Sequence, residues 1–255
     1  MWCPGCGNGI VLSTLLRAFE ELGYRNEETV VVTGIGCWGK ADDYVVTNGF
    51  HGTHGRALAF ATGMKAFNPR LNVVVLMGDG DCITIGGNHF IHAARRNIDV
   101  TAIVVNNLNY GMTGGQVSGT TPFGMFTSTT TYTNPERDLD ICAIAEVAGA
   151  NYVARGTPWH GFELEANIKE ALNKRGFSVV EVMSPCPTHY GKYNRMGTPV
   201  EMLKKIREMA LPKEEYARLS PSQKEGYFPI GKLVDRDDPD FNTRYDEVRS
   251  RAMKG

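Results

Sequence analysis

Asn72-Val-Val-Val-Leu-Met-Gly-Asp-Gly80 decides the fold of this chain, because an unbroken apolar run of strand length ends there in a glycine-rich acidic turn. The run is rich in β-branched residues and lacks polar alternation, which is typical of a strand buried on both faces of a parallel sheet. A second such run, Val100 to Val105, ends in Asn106-Asn107, and a helical pattern around Asn88 to Arg96 lies between the two runs. Together they predict a βαβ unit, and hence an α/β fold with a parallel sheet and helices on both faces.

The polar turns at the two strand ends are predicted to lie together. Neighbouring parallel strands end at the same edge of a sheet, so Asp79 and Asn107 can meet although residues 81–105 separate the two motifs. A carboxylate and an amide oxygen beside glycine-rich backbone suit Mg²⁺ that also binds phosphate groups. Each motif alone is more simply interpreted as a tight turn. Their placement at the ends of two parallel strands favours the metal site.

This pair of motifs resembles the signature of thiamine-diphosphate enzymes, in which Gly-Asp-Gly is followed at this spacing by Asn-Asn. The resemblance implies that a Mg²⁺ ion bridges the cofactor's diphosphate. It implies Asp79, Asn107 and the backbone carbonyl of Asn109 as the protein ligands of that ion.

Length, charge and hydropathy exclude several classes of protein. With 255 residues the chain can bury a substantial core, and we favour one α/β domain over two small ones. Lys and Arg number 27 against 28 Asp and Glu, so neither nucleic acid nor an acidic membrane surface is expected as a partner. Apolar runs far shorter than a membrane span and a start without a secretion signal predict a cytoplasmic chain.

Four of the six cysteines fall in glycine- or proline-flanked turns, namely Cys3, Cys6, Cys37 and Cys186. The motif Cys3-Pro-Gly-Cys6 precedes a helix predicted over Ile10 to Leu22, and a helix N-terminus favours thiolates. One Cys-x-x-Cys pair with two remote cysteines suits a Cys₄ zinc site or a [4Fe-4S] cluster. The absence of a second close pair favours the cluster. Cys82 and Cys142, in apolar helical patterns, are interpreted as buried small hydrophobic side chains.

A phosphate-binding motif occurs in the chain, but its context contradicts it. Gly34-Ile-Gly-Cys-Trp-Gly-Lys40 follows a strand predicted over Thr29 to Thr33 and matches the core of a P-loop. Ala41 stands where a P-loop needs Ser or Thr for Mg²⁺, and Asp42-Asp43 would place negative charge near the phosphates. We therefore interpret the match as fortuitous.

The histidines give weaker indications. His54 and Arg56 precede a helix predicted over Ala57 to Phe67, where they could contact a phosphate or carboxylate, although local pattern alone favours a capping turn. His89 and His92 share a predicted helix face without a third ligand nearby. A polar face or a packing role is the better interpretation of this pair.

The remaining chain is predicted as a long functional or interface loop, two further helix–strand pairs and a polar tail. From about Met196 onward the chain is charged and interrupted by prolines, which predicts an irregular C-terminal arm over residues 196–255. The predicted segments are a Thr- and Ser-rich loop over 117–134, a helix over Asp138 to Ala148 with Asp138 as N-cap, a strand over Asn151 to Arg155, a helix over Phe162 to Lys174 and a strand over Ser178 to Met183.

A series of short motifs extends over residues 2–195. In chain order they are Trp2-Cys-Pro-Gly-Cys-Gly-Asn-Gly9, Gly34-Ile-Gly-Cys37, His54-Gly-Arg56, Gly78-Asp-Gly-Asp81, Gly86-Gly-Asn-His89, Asn106-Asn107, Tyr110-Gly-Met-Thr-Gly-Gly-Gln116 and Pro185-Cys186. Together they resemble the β subunit of the 2-oxoacid:ferredoxin oxidoreductases. The stretch from Gly86 to Arg96 makes the chain most similar to the 2-oxoglutarate type.

The resemblance implies a thiamine-diphosphate-binding fold over residues 1–195, with residues 196–255 contacting another subunit. It implies a [4Fe-4S] cluster on the four cysteines of the turns. Trp38 departs from the family, many members of which have a small residue there. The implied cofactor contacts are Ile35, Gly36, Cys37, Trp38, His54, Gly80, Asp81, Gly111 and Met112.

The implied reaction is the coenzyme A-dependent oxidative decarboxylation of a 2-oxoacid to an acyl-CoA and CO₂. Electrons are expected to pass through the cluster to ferredoxin. No Glu occupies a recognisable activating position in the sequence, so an α subunit is expected to supply it, and a small ferredoxin-like subunit is a further expected partner. Two alternatives stay open: a non-redox thiamine-diphosphate decarboxylase or synthase subunit, and a Cys₄ metal-binding interaction module.

Overall fold

The computed structural model describes residues 2–254 as an α/β structure built on one sheet. Met1 and Gly255, the outer ends of the two predicted domain ranges, lie outside the described residues. Within the described residues the sheet has eight strands in the order β2-β1-β3-β4-β6-β5-β8-β7. The strands are β1 Thr29–Thr33, β2 Asn48–His51, β3 Asn72–Gly78, β4 Thr101–Asn106, β5 Tyr152–Gly156, β6 Ser178–Met183, β7 Ala210–Pro212 and β8 Phe228–Asp235.

Strands β1 to β6 pair in parallel, which confirms the predicted sheet, whereas β8 is antiparallel to β5. In the central pair of strands, Val74 of β3 lies opposite Thr101 of β4, and Gly78 lies opposite Val105. Both strands are almost completely buried along their length. Their carboxyl ends therefore place Asp79 and Asn107 side by side at one edge of the sheet.

Helices cover both faces of the sheet. Alternate residues of β3 explain why: Val73, Val75 and Met77 belong to the core shared with α2, α3 and α4, whereas Val74 and Leu76 belong to the core shared with α1 and α5. The helices are α1 Asn8–Glu21, α2 Ala57–Phe67, α3 Gly87–Arg96, α4 Ile141–Ala148, α5 Gly161–Asn173, α6 Tyr190–Tyr193, α7 Pro199–Met209, α8 Lys213–Arg218 and α9 Phe241–Ala252, with a 3₁₀ helix at Trp38–Tyr44 and a π-helix at Gly80–Thr84.

The predicted start of α4 is wrong by two residues. The N-cap is Asp140, whose Oδ1 accepts a hydrogen bond from the backbone N of Ala143 at 3.0 Å, rather than Asp138. Arg155 of β5 donates from Nη2 to the same carboxylate at 2.6 Å. A residue distant in sequence thus selects which of two nearby aspartates caps the helix.

The C-terminal arm is more regular than predicted. Strand β8 extends the main sheet by pairing with β5, and β7 pairs with β8. The final helix α9 begins at an N-cap, Asp240, and Asn97 donates from Nδ2 to the carbonyl of Asp238 just before it at 3.0 Å. Prolines lie at or near the ends of these short elements, and their frequency in residues 196–255 led to the prediction of an irregular arm. No helix in residues 2–254 is long and apolar enough to cross a membrane.

Candidate functional site

A cavity opens at the carboxyl ends of β1, β3 and β4. All the residues that the sequence predicted for the cofactor and the magnesium ion line it. They are Ile35, Gly36, Cys37, Trp38, His54, Asp79, Gly80, Asp81, Asn107, Asn109, Gly111 and Met112.

The carboxylate of Asp79 is held in one position at the inner end of this cavity. The residue is 2% exposed, and its Oδ2 accepts hydrogen bonds from Ser118 Oγ at 2.6 Å and from Thr120 Oγ1 at 2.7 Å. Its Oδ1 lies 3.4 Å from the backbone N of Asn107. Burial raises the pKa of Asp79, and the two hydroxyl groups oppose that shift. A cation in the cavity would favour the charged form further.

Buried oxygen atoms without partners lie beside Asp79. The Oδ1 atoms of Asn107 and Asn109 are both inaccessible and accept no hydrogen bond. Such atoms are costly to bury unless a ligand satisfies them. With the Asp79 carboxylate they form a set of hard oxygen donors, which is the chemistry that Mg²⁺ requires. The side-chain oxygen of Asn109 is thus a candidate ligand in addition to the predicted backbone carbonyl.

Asp81 connects the loops that form the cavity wall. Its Oδ1 lies 2.6 Å from His54 Nδ1 and accepts from the backbone N of Gly55 at 2.5 Å and of Ile35 at 3.4 Å. Burial raises the pKa of Asp81, against the hydrogen bonds from Gly55 and His54. Its Oδ2 is buried without a partner. The residue therefore orders the walls and still presents a free acceptor.

Glycine is required at position 80 because an aromatic ring occupies the space of a side chain. A Cβ on Gly80 would overlap the ring of Tyr110. The Tyr110 hydroxyl donates to the Gly80 carbonyl at 3.4 Å, and its ring meets the His54 ring edge-on, with centroids 5.7 Å apart. Tyr110 lines the cavity and completes its wall.

The fold brings the four predicted cysteine ligands together. Burial and the neighbouring Cys186, Cys3 and Cys6 raise the pKa of Cys37 to about 12. Burial, and to a smaller extent Cys3 and Cys186, also raise the pKa of Cys6. The four cysteines therefore lie near one another, and a bound metal would stabilise them as thiolates.

The spacing of these four sulfur atoms is wide. Among residues 2–254, no three of them lie within 4.8 Å of one another. Thiolates on one tetrahedral zinc ion, with Zn–S bonds of about 2.3 Å, would lie about 3.8 Å apart. The turn that carries Cys6 is held to the end of β6, because the hydroxyl of Ser184 donates to the Cys6 carbonyl at 2.6 Å. The four sulfur atoms are therefore not arranged for one tetrahedral zinc ion.

Two of the remaining sequence motifs do not act as their patterns suggest. The P-loop-like segment lines the cavity through Ile35 to Trp38, but Lys40 does not line it, and Asp42 accepts from Thr33 Oγ1 at 3.2 Å. His92 is exposed on α3, within 3.4 Å of Arg95 Nε, and belongs to none of the compact ligand groups among residues 2–254. Lys40 is therefore not placed as a P-loop lysine would be, and His92 lies outside the site.

The prediction that Cys142 has apolar surroundings is wrong in part. The side chain is buried as predicted, but its Sγ lies 3.2 Å from Glu181 Oε2, beside the ion pair of Glu181 with Arg155. Asp140, Cys142 and Glu181 are close enough to hold an ion, yet the guanidinium of Arg155 already bonds to both carboxylates. The apolar pattern of α4 predicts a buried face, but it carries no information about which side chains of the sheet that face contacts.

Sequence analysis assigned no role to several residues that support the site. Ser118 and Thr120, which hold Asp79, were not singled out, although they belong to the Thr- and Ser-rich loop over 117–134. Tyr110, which forms a wall, and Asn106, which connects β4 to Glu181, belong to motifs that the sequence analysis quoted without giving either residue a role.

Comparisons with known proteins agree with this site. Residues 30–182 match the family described as "Thiamine pyrophosphate enzyme, C-terminal TPP binding domain". The chain is 46% identical over 255 residues to 2-oxoglutarate synthase subunit KorB of Methanothermobacter marburgensis, covering 100% of this chain and 90% of that protein. It is 44% identical over 190 residues to the 2-oxoacid:ferredoxin oxidoreductase subunit beta of Saccharolobus solfataricus, covering 74% of this chain and 62% of that protein.

A solved structure is similar over almost the whole length. It is the 2-oxoglutarate:ferredoxin oxidoreductase from Magnetococcus marinus with 2-oxoglutarate, coenzyme A and succinyl-CoA bound. The TM-score is 0.88 at 32% sequence identity, and the match covers 99% of this chain and 87% of that one.

Proposed function

The chain belongs to the family of β subunits of the 2-oxoacid:ferredoxin oxidoreductases, and we propose that it catalyses the coenzyme A-dependent oxidative decarboxylation of 2-oxoglutarate together with a partner α subunit. The products are succinyl-CoA and CO₂, and the electron pair passes singly through a [4Fe-4S] cluster to ferredoxin. The predicted family resemblance is confirmed by the comparisons. The choice of 2-oxoglutarate among 2-oxoacids rests on the relatives' own substrate.

The observation that carries the proposal is the cavity at the carboxyl ends of β1, β3 and β4. Asp79, Asn107 and Asn109 would hold Mg²⁺ and, through it, the cofactor's diphosphate, because all three line the cavity and the side-chain oxygens of both asparagines are buried without a partner. His54, fixed by Asp81, would face the same ligand. When bound, thiamine diphosphate supplies the electron sink for the pair that decarboxylation releases.

Cys3, Cys6, Cys37 and Cys186 would ligate the [4Fe-4S] cluster. Their turns come from the start of α1, the end of β1 and the end of β6, so the sheet holds them in place. Cys37 lines the cofactor cavity as well, which would put cluster and cofactor in contact. An adjacent one-electron acceptor is what distinguishes this reaction from a non-redox decarboxylation.

A partner subunit would complete the site. The residues that line the cavity include no glutamate, in agreement with an activating Glu supplied by an α subunit. The apolar side chains of Ile35 and Met112, at 37% and 47% exposure, lie at the cavity and would be covered by that subunit. We further propose that residues 2–195 bind the cofactors and that the C-terminal arm contacts a subunit through exposed α9 residues such as Tyr245 and Val248.

Anaerobic co-purification of this chain with its α subunit tests the metal assignment. We expect a brown complex with about four iron atoms per chain. Cys186→Ser should lower the iron content, whereas Cys82→Ser, at a buried cysteine outside the group of four, should not. Stoichiometric zinc without iron would contradict the proposal.

Turnover of the same complex with several 2-oxoacids tests the reaction. We expect reduction of a low-potential dye that depends on coenzyme A and is fastest with 2-oxoglutarate. Product formation without coenzyme A or without an electron acceptor would favour the non-redox alternative.

A further inference from the structure

A buried hydrogen-bonded chain connects the magnesium-site residues to an ion pair two strands away. Glu181 of β6 is 2% exposed, and its Oε2 accepts from Arg155 Nε at 2.7 Å. Its Oε1 accepts from Asn106 Nδ2 at 2.8 Å. Arg155 and Glu181 lie opposite each other in the β5–β6 register. The chain thus runs across β5, β6 and β4, which are neighbours in the sheet.

Every group that hydrogen-bonds to the Glu181 carboxylate donates to it, and the nearby Asp140 carboxylate is bonded to Arg155. Arg155 Nε, Asn106 Nδ2 and the Cys142 thiol surround it, and burial raises the pKa of that thiol so that it keeps its proton. An ionised carboxylate accepts on all sides, whereas a glutamine would direct two hydrogens at one of these donors. The charge of the glutamate is therefore part of the arrangement.

This carboxylate determines which way the Asn106 amide points. With Nδ2 directed at Glu181, Oδ1 must face the opposite side, where it accepts from the backbone N of Leu108 at 3.1 Å and lies 3.1 Å from Thr120 Oγ1. Thr120 is also bonded to Asp79. The amide thus holds the turn that follows β4, and its oxygen lies next to the hydroxyl that donates to Asp79.

The turn needs that support because its backbone is unusual. Leu108 has φ +64°, a left-handed conformation that costs free energy for a residue with a side chain. It lies between Asn107 and Asn109, so its conformation sets where their two unpartnered oxygens point. The bond from the Leu108 N–H to Asn106 compensates part of the cost.

We infer that Glu181, anchored by Arg155, is a positioning residue for the divalent-cation site, acting through Asn106 on the Asn107–Asn109 turn. The inference rests on the proposed function for the identity of the ligand. Glu181 itself touches neither Asp79 nor the cofactor cavity. Its effect is exerted on the affinity for metal and diphosphate, because outer partners of metal ligands set their orientation.

The test uses the purified complex with its α subunit, stripped of cofactor and titrated with thiamine diphosphate and Mg²⁺. Tryptophan fluorescence reports binding, since Trp38 lines the cavity. Glu181→Gln should weaken the affinity for Mg²⁺ by roughly 10- to 100-fold. The kcat at saturating Mg²⁺ should recover. Glu165→Gln is the matched control: it also removes the charge of a buried, ion-paired glutamate, but between α1 and α5.

Two combined variants keep the inference falsifiable if Glu181→Gln folds poorly. Arg155→Met with Glu181→Met replaces the ion pair by apolar side chains, a change that commonly preserves folding, and should weaken Mg²⁺ binding by more than Arg155→Met alone, which also releases the Asp140 cap. Asn106→Asp with Glu181→Gln exchanges donor and acceptor and should restore most of the affinity.

The outcomes separate the two proposals. Wild-type complex that binds neither Mg²⁺ nor thiamine diphosphate would overturn the proposed function and this inference together. Wild-type binding with the same Mg²⁺ affinity in the Met–Met variant would overturn the inference alone. If Glu181→Gln lost Mg²⁺ affinity only in proportion to its lower Tm, and Asn106→Asp with Glu181→Gln restored none of it, Glu181 would have a structural role alone.

Discussion

The Sγ of Cys37 lies against Gly111, so that a Cβ on this glycine would be only 3.3 Å from it. Cys37 belongs to the proposed cluster ligands, and Gly111 belongs to the loop that lines the cofactor cavity. The same hypothetical Cβ would be 3.5 Å from Asn107 Nδ2 and Asn109 Oδ1. The two proposed sites therefore adjoin at Gly111, and a cluster and a cofactor bound there would be close enough for direct electron transfer.

Gly111→Ala should weaken cofactor binding several-fold, because the added methyl group must displace either the loop or Cys37. Since a bound cluster would hold Cys37, we expect the loop to move and the iron content to stay complete. Titration with thiamine diphosphate and iron analysis measure the two effects. Gly63→Ala, in α2 with open space around the Cβ position, is the control and should change neither.

Gly80→Ala should damage the cavity more severely, because the new side chain would overlap the ring of Tyr110. Overpacking of this kind costs about 1–3 kcal/mol. Tyr110→Ala combined with Gly80→Ala should be less impaired in stability than the sum of the single changes. Thermal unfolding of the four proteins in this cycle measures the coupling, and strictly additive effects would show that the ring is not the obstacle.

Ser118→Ala should lower the affinity for Mg²⁺ by about tenfold, because Asp79 loses one of the hydroxyl donors that orient its carboxylate. Isothermal titration of the cofactor-stripped complex measures this. Ser128→Ala is a matched control in the same loop, since the Ser128 hydroxyl is buried without a hydrogen-bond partner. Equal losses in both variants would contradict a specific role for Ser118.

Asp240 should contribute a pH-dependent part of the stability. Burial would raise its pKa, but hydrogen bonds from Arg175 and Thr243 outweigh burial and lower it. A lowered pKa in the folded state means that the contribution is present above the unfolded value near 3.8 and is lost as pH falls through the folded value. The attachment of α9 should therefore weaken in acid.

Asp240→Asn tests this dependence, because asparagine still caps a helix but does not pair with Arg175. We expect a Tm lower by a few degrees at pH 7 and a shallower decline of Tm below about pH 4. Asp238→Asn, which removes an exposed charge without side-chain partners in the described residues, should leave the pH profile unchanged.

Local patterns predicted the parallel sheet and placed two polar turns at its carboxyl edge. Continuous β-branched runs identified β3 and β4, and their ends supplied Asp79 and Asn107. They failed where two nearby residues could serve the same purpose: Asp138 and Asp140 are equivalent as caps by sequence, and Arg155 selects one of them. Strand β8 was missed because its partner β5 lies far away in sequence.

The strands, the helices between them and the polar turns at the strand ends follow from local sequence, because burial on both faces and glycine-rich turns are local requirements. The contacts of Ser118 with Asp79, of Glu181 with Asn106 and of Cys37 with Gly111 arise only when the chain is folded. These contacts depend on strand order, register and loop packing to within a fraction of an ångström. The periodicity of apolar residues along the chain carries no information about positions at that precision.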